Sequence, residues 1–225
     1  MREFNFAEGE VLLVDKPLTW TSFDVVKKIK NAIGVRKLKI GHAGTLDPLA
    51  TGLLILCTGR MTKQIESFQA QEKTYTGTFT LGGTTPSYDL ESEIDQTFPT
   101  SHLDDEILLK GTKQFIGEID QIPPKFSAVK VNGQRAYKAA RKGQELEIRS
   151  RKITIDSFDL TRIALPEVDF KICCSKGTYI RSLARDFGEA VDSGAHLSAL
   201  RRTHIGEYDV ADAYDLEDLI SQIKQ

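Results

Sequence analysis

Cysteine is scarce in this 225-residue chain, and the three present, Cys57, Cys173 and Cys174, offer no CxxC spacing. Neither a disulfide framework nor a zinc site follows from them. The four histidines, His42, His102, His196 and His204, are scattered without the spacing of metal ligands. No GxGxxG, GxxxxGK[ST] or GxSxG occurs, so dinucleotide-binding, P-loop and hydrolase-triad chemistry have no footing. No apolar run approaches the roughly 20 residues that cross a bilayer. The opening MREFNFAEGE also lacks the basic-then-apolar pattern of a signal peptide, which gives the expectation of a cytoplasmic protein with no membrane partner. No internal repeat or low-complexity tract is present. The hydrophobic fraction of 40% and the charged fraction of 28% are those of an ordinary globular chain.

What is present centres on KIGHAGTLDPLATGLLILCT, residues 39–58. Gly41, Gly44 and Gly52 permit backbone angles that a Cβ forbids, and Pro48 fixes the φ angle just after Asp47. The stretch therefore specifies a shaped loop carrying one carboxylate, and Leu53–Leu56 reads as a buried strand behind it. An isolated Asp-Pro ordinarily starts a turn or caps a helix. Here the acid ends a run from Val25 to Leu46 that holds Lys27, Lys28, Lys30, Arg36, Lys37 and Lys39 and no acid. That segregation points to a site expecting an anion.

Net charge is only −2, but its distribution is uneven. Between Lys125 and Lys152 nine basic residues face only Glu145 and Glu147, while acids gather in 89–120 and 207–218. Such segregation favours a polyanion on one face. Along the chain the patterns predict a strand at Val11–Val14 and a helix capped by Ser22 and stopped by Gly34. They also predict a short helix at Thr62–Phe68 and an alternating strand at Lys73–Leu81 with Tyr75 on its apolar side. An acidic loop containing Asp89 comes next, then a helix from Ser101 to about Phe115 and the basic arm after Ile122-Pro123-Pro124. In that arm a helix between Gly133 and Gly143 would carry Arg135, Lys138, Arg141 and Lys142. Strands are predicted at Leu146–Arg162, Glu167–Cys174 and Ala199–Ile205. One helix opens at 176–181 and another covers Leu216–Ile223. The mixed order gives an α+β domain around a mixed sheet. Arg181 falls in the first turn of its helix, against the helix dipole, which an anionic partner would explain.

The chemistry left open is that of a single ionised carboxylate acting as a nucleophile at carbon. Arg181 could hold it ionised, and Tyr75 could offer a stacking surface to an extruded base. A non-catalytic RNA-binding or RNA-folding module is the alternative. A glycosidase fits less well, because such enzymes generally use two carboxylates and only one sits in a shaped motif.

GHAGTLDPLATGLL resembles the motif around the catalytic aspartate of pseudouridine synthases. With IPPKFSAVKVNGQRAYKAAR, CSKGTYIRSLARDFG and GAHLSALRRT the resemblance is to the TruB family, in the expected order from Lys16-Pro17 to Arg202. It implies a pseudouridine synthase fold, with a mostly antiparallel sheet flanked by helices and an RNA-binding thumb inserted at about 123–152. It implies one catalytic domain over residues 1–225, with no stretch left to match a C-terminal RNA-binding domain of the PUA type. The implied reaction converts uridine 55 in the T-arm of tRNA to pseudouridine, without cofactor, metal or guide RNA, by a protein that could act as a monomer. Asp47 would be the nucleophile, at either C1′ of the sugar or C6 of the base, and Arg181 would pair with it. Tyr75 would stack on the flipped uracil, and Tyr179 would either hold the base or accept the C5 proton. Leu200 would line the pocket. His42, Asp89, Lys130, Arg141, Lys142 and Arg202 would contact or order RNA, and Lys16 and Pro17 would support the site from behind.

Overall fold

The computed structural model describes residues 3–127, 129–131, 134–136 and 147–224. The chain divides into two compact units, residues 1–76 with 200–225, and residues 77–199. The strands, in chain order, are β1 (Val11–Lys16), β2 (Ile40–His42), β3 (Ala50–Thr58), β4 (Lys73–Leu81), β5 (Gly83–Thr84), β6 (Gln96–Thr97), β7 (Gly117–Gln121), β8 (Lys130–Val131), β9 (Gln134–Arg135), β10 (Arg151–Ala164), β11 (Glu167–Cys174), β12 (Ala195–Ile205), β13 (Tyr208–Asp209) and β14 (Tyr214–Asp215). The helices are α1 (Ser22–Ile33), α2 (Ile65–Ala70), α3 (Asp105–Lys113), α4 (Ile180–Ala190) and α5 (Leu216–Ile223). The α+β class with a mixed sheet is the one expected, and the unit boundaries fall inside β4 and β12.

In the first unit the strand order is β14-β1-β3-β12-β4. β1 runs antiparallel to β3, and β3 parallel to β12. β3 explains its own composition. Leu54 and Leu56 pack with Val25, Ile29, Leu219 and Ile220 of α1 and α5, whereas Leu53, Ile55 and Cys57 pack with Phe68 of α2. A strand covered on both faces has no polar side to present, hence its continuous apolar run.

In the second unit β12, β4, β11, β10 and β7 follow in order, with β10 antiparallel to both neighbours. Its core is aromatic. Phe79 of β4 lies 4.3 Å from Phe170 of β11 and 5.8 Å from Phe187 of α4, ring centre to ring centre, and Phe158 of β10 touches all three. Large planar side chains fill the space between a twisted sheet and a helix at little conformational cost.

Several boundaries differ from those the sequence suggests. Thr21, not Ser22, caps α1, through a capping box in which Thr21 and Asp24 bond each other's backbone N–H groups. The Thr62–Phe68 segment divides into a 3-10 turn at Gly59–Gln64 and α2. α3 starts later than expected because Asp104 caps it, its carboxylate accepting from the N–H of Ile107. β7 is a further strand, entered through Gly117 at φ 96 and held by its pairing with β10. β10 begins at Arg151 rather than Leu146, and β12 begins at Ala195 rather than Ala199. Arg135 lies in β9, paired with Lys130 of β8, rather than in a helix. The rest of that expected helix, with Arg141 and Lys142, lies outside the described residues.

Gly52 has φ 103, and a Cβ there would meet the Arg202 carbonyl oxygen at 2.2 Å. Gly52→Ala is expected to destabilise the fold by about 2 kcal/mol or more, combining a left-handed alanine with a backbone clash. Thermal unfolding of the variant, with Tm falling by about 5 °C or more, checks this.

Candidate active site

The first unit builds a rigid frame around Asp47. The acid sits, half-buried, in the turn between β2 and β3, and its carbonyl accepts from the N–H of Ala50 at 3.0 Å. Ser22 is 1% exposed. Its Oγ accepts from the N–H of Leu46 at 2.9 Å and donates to the Leu46 carbonyl at 3.2 Å. One residue after the acid, the Pro48 carbonyl accepts from the N–H of Thr19 at 2.8 Å. Thr19 itself is held at φ 70, a conformation unusual for a branched residue and characteristic of positions fixed by their surroundings.

Beneath the turn lies the ammonium of Lys16, fully shielded from solvent. It donates to the carbonyls of Pro17 at 2.8 Å, Trp20 at 2.6 Å and Pro48 at 3.4 Å. Burial pushes Lys16 down to about 8, against the attraction of Asp47 and with the help of the Arg202 charge. Arg202 is 1% exposed and donates to the carbonyls of Leu53 at 2.8 Å and Gly44 at 3.1 Å, so it ties the two ends of the turn together. Leu200, half-buried, pairs in register with Ala50 at the exit of the turn. His42 ends β2, and burial lowers its affinity for a proton. The Gly44 backbone opposes that shift and the Arg202 charge adds to it. The His42 Nδ1 is buried with no well-formed hydrogen bond. Tyr75 is 9% exposed on β4, on the face opposite Thr74, whose carbonyl accepts from Thr203 Oγ1.

The second unit carries the other residues. Tyr179 is the N-cap position of α4. Its N–H donates to Gln121 Oε1 at 2.8 Å, and its carbonyl accepts from Gln121 Nε2 at 3.1 Å. The Arg151 guanidinium lies over its ring, 4.6 Å from the centroid. Arg181 is 4% exposed. It donates to the carbonyls of Ser87 at 3.2 Å and Phe126 at 3.0 Å, and its Nε stands 3.5 Å from Asp89 Oδ2. An anionic partner thus accompanies this arginine in the first turn of α4. Asp89 is itself 4% exposed, and its other oxygen accepts from the N–H of Glu91. The backbone of Lys130 is in β8.

Ser22, Gln121 and Arg151 escape sequence reasoning, because nothing in the local pattern marks a serine, glutamine or arginine whose partner is 24 to 58 residues away. Cys57, pushed up to about 11 by burial, offers no thiolate nucleophile. A carboxylate on a turn fixed at Leu46, Pro48, Gly44 and Leu53, with buried cations beneath it, suits nucleophilic attack, which needs a group positioned before substrate arrives.

A family model described as TruB family pseudouridylate synthase (N terminal domain) matches residues 30–180. A second, described as tRNA pseudouridylate synthase B C-terminal domain, matches residues 181–225. The chain is 62% identical to tRNA pseudouridine synthase B of Flavobacterium johnsoniae, over 94% of each chain. It is 53% identical to the protein of that name from Phocaeicola vulgatus, over 98% of this chain and 96% of the other. Among solved structures it resembles a chain of a Cbf5-Nop10-Gar1 complex, with a TM-score of 0.73 and 29% identity over 96% of its length. It also resembles a chain of an H/ACA ribonucleoprotein bound to a substrate RNA containing 2′-deoxyuridine, with a TM-score of 0.71 and 27% identity. It spans about half the length of those two structural neighbours.

Removing the Ser22 hydroxyl strands the N–H and carbonyl of Leu46 inside the protein. Ser22→Ala is therefore expected to cost about 1–3 kcal/mol in urea unfolding and to lower kcat more than it raises KM. Lys16 gives a pH signature. Below about pH 8 folded and unfolded chains both hold its proton, and the fold bears the cost of the buried charge. Between about 8 and the ordinary value of 10.5 the unfolded chain holds more protons, so Lys16's contribution to stability rises with pH across that window. Urea unfolding of wild type and Lys16→Met is expected to show the wild type gaining on the variant as pH rises through this range.

Proposed function

Because the chain belongs to the TruB family of pseudouridylate synthases, we propose that it converts uridine 55 in the T-arm of tRNA to pseudouridine, as a cytoplasmic enzyme that needs no guide RNA. The observation that carries this reading is the 62% identity, over nearly all of both chains, to a protein named tRNA pseudouridine synthase B.

In the proposed reaction the uridine leaves its stack and Tyr75 supports the flipped base. The Asp47 carboxylate attacks C1′ or C6. The N1–C1′ bond is exchanged for a C5–C1′ bond, C5 loses a proton and N1 gains one, so the product is an isomer and no redox partner or group donor is consumed. Arg181 stabilises the ionised carboxylate, Tyr179 holds the base or takes the C5 proton, and Leu200 forms a wall of the uracil pocket. Lys16, Pro17, Ser22 and Arg202 act through the turn that carries Asp47, holding its backbone rather than touching the base.

His42 is assigned to ordering the T-arm, and the T-arm phosphates to Lys130 and the basic segment 123–152, whose Arg141 and Lys142 belong to its surplus of positive charge. Asp89, at ion-pair distance from Arg181, orders that arginine toward the RNA.

Asp47→Asn preserves shape while removing the nucleophilic charge. It is expected to bind a T-arm stem-loop and to lower pseudouridine formation by about 10³-fold or more, read by chemical mapping of the RNA without guide RNA. Turnover near the wild-type rate would remove Asp47 from the reaction. Binding without turnover by the wild-type chain would make it an RNA-binding module instead.

A further inference from the structure

A cavity of about 560 Å³ opens in the first unit where α1, α5 and the Thr19–Trp20 segment meet. Its volume is in the range of small-ligand sites, and none of the residues assigned above to the reaction lines it. Trp20, the sole tryptophan of the chain, forms one wall. Lys27, Lys28 and Asn31 of α1 and Lys224 at the end of α5 supply the polar rim, with Ile220 behind.

The charges at this rim are not balanced. Asp24 is committed to the helix cap, where it accepts from the N–H and Oγ of Thr21. Lys28 stands 5.2 Å from the centre of the Trp20 ring and pairs with Glu217. Lys27 and Lys224 are both exposed and, among the described residues, in no ion pair, although the Asp24 carboxylate attracts Lys27 through space. Three lysines thus face two carboxylates, Asp24 and Glu217, and a net positive charge remains. Lys27 and Lys28 also begin the acid-free basic run of residues 25–46, none of whose lysines or arginine the proposed reaction uses. An indole beside two exposed ammonium groups, on a rim of net positive charge, is the pairing that single-stranded nucleic acid meets on its binding proteins, the ring for a base and the cations for its phosphate. A bare inorganic anion leaves most of the volume and the indole unused, and the cationic rim repels a metal ion.

We propose that this cavity is a second RNA site, which takes one unpaired nucleotide of the tRNA outside the T-arm, with its base against Trp20 and its phosphate on Lys27 and Lys224. The inference rests on the tRNA substrate proposed above. The same segment also reaches the catalytic turn, since Thr19 bonds the Pro48 carbonyl and the Trp20 carbonyl receives Lys16. A nucleotide held at Trp20 is therefore anchored to the backbone that carries Asp47.

Because Trp20 is the sole tryptophan and forms a wall of this cavity, its fluorescence reports on a ligand bound there. Adenosine 5′-monophosphate is expected to change the emission saturably, and inorganic phosphate at equal concentration to do so much more weakly. The double variant Lys27→Gln/Lys224→Gln is expected to weaken the nucleotide titration and full-length tRNA binding by about tenfold each at low salt. Its affinity for a T-arm stem-loop, and its pseudouridine yield on that stem-loop, are expected to stay at the wild-type level. No saturable response to the nucleotide, an equal response to phosphate, or unchanged affinity for full-length tRNA would each overturn the proposal. Turnover of the stem-loop by the double variant tests the proposed reaction separately, so a failure of this site is distinguishable from a failure of that reading.

Discussion

The ammonium of Lys16, buried beneath the Asp47 turn, is the constraint on which the first unit's site depends. Moving a charge out of water costs several kcal/mol unless polar groups replace the lost hydration. Here the replacement comes from the carbonyls of Pro17, Trp20 and Pro48. These carbonyls must stay converged on one point for the charge to be tolerated. The chain from 17 to 20 and the turn after Asp47 are therefore not free to drift apart, and Thr19 accepts a strained φ of 70 within that arrangement. The depression of Lys16 to about 8 shows that the compensation is incomplete. Part of the folding energy of the surrounding strands goes into keeping a cation there.

Much of this frame was legible in the sequence, and the limits have physical causes. The alternation of Lys73–Leu81 and the apolar run of Leu53–Leu56 marked β4 and β3, because one- and two-sided burial leave different periodicities. Gly34 stops α1 at φ 68, as a helix-ending glycine should. The choice between Thr21 and Ser22 as its cap was not legible, since the two residues have similar capping preferences. What separates them is Leu46, a distant partner that claims the Ser22 hydroxyl. β7 escaped for a related reason. Its five residues pair along one edge of β10, and most of what holds them there is on the other strand.

The site residues divide in the same way. Asp47 stood out because the glycines and proline around it are local signals of a shaped turn. Arg181 stood out only as a misfit, a cation at the wrong end of a helix. Its buried setting depends on Ser87, Asp89 and Phe126, which are 55 to 94 residues away and which no local pattern connects to it. An oddity of placement was the sequence's whole record of a tertiary arrangement.

The buried cations share a feature that bears on function. Lys16 and Arg202 are each at most 1% exposed, and backbone carbonyls take part in holding both. A carboxylate partner of matching geometry would cancel such a charge at short range. Carbonyl dipoles instead offset the loss of hydration while leaving the net positive charge in place, and its field acts over several ångströms in the low-dielectric interior. A chain with a net charge of −2 can in this way present positive potential where an ionised aspartate and an RNA phosphate must approach each other. Replacing Lys16 or Arg202 with an apolar side chain of similar volume could relieve the desolvation cost. It would also remove both the field and the carbonyl clamp, so the residues that burden stability at this turn are the ones that fit it to bear a reactive carboxylate.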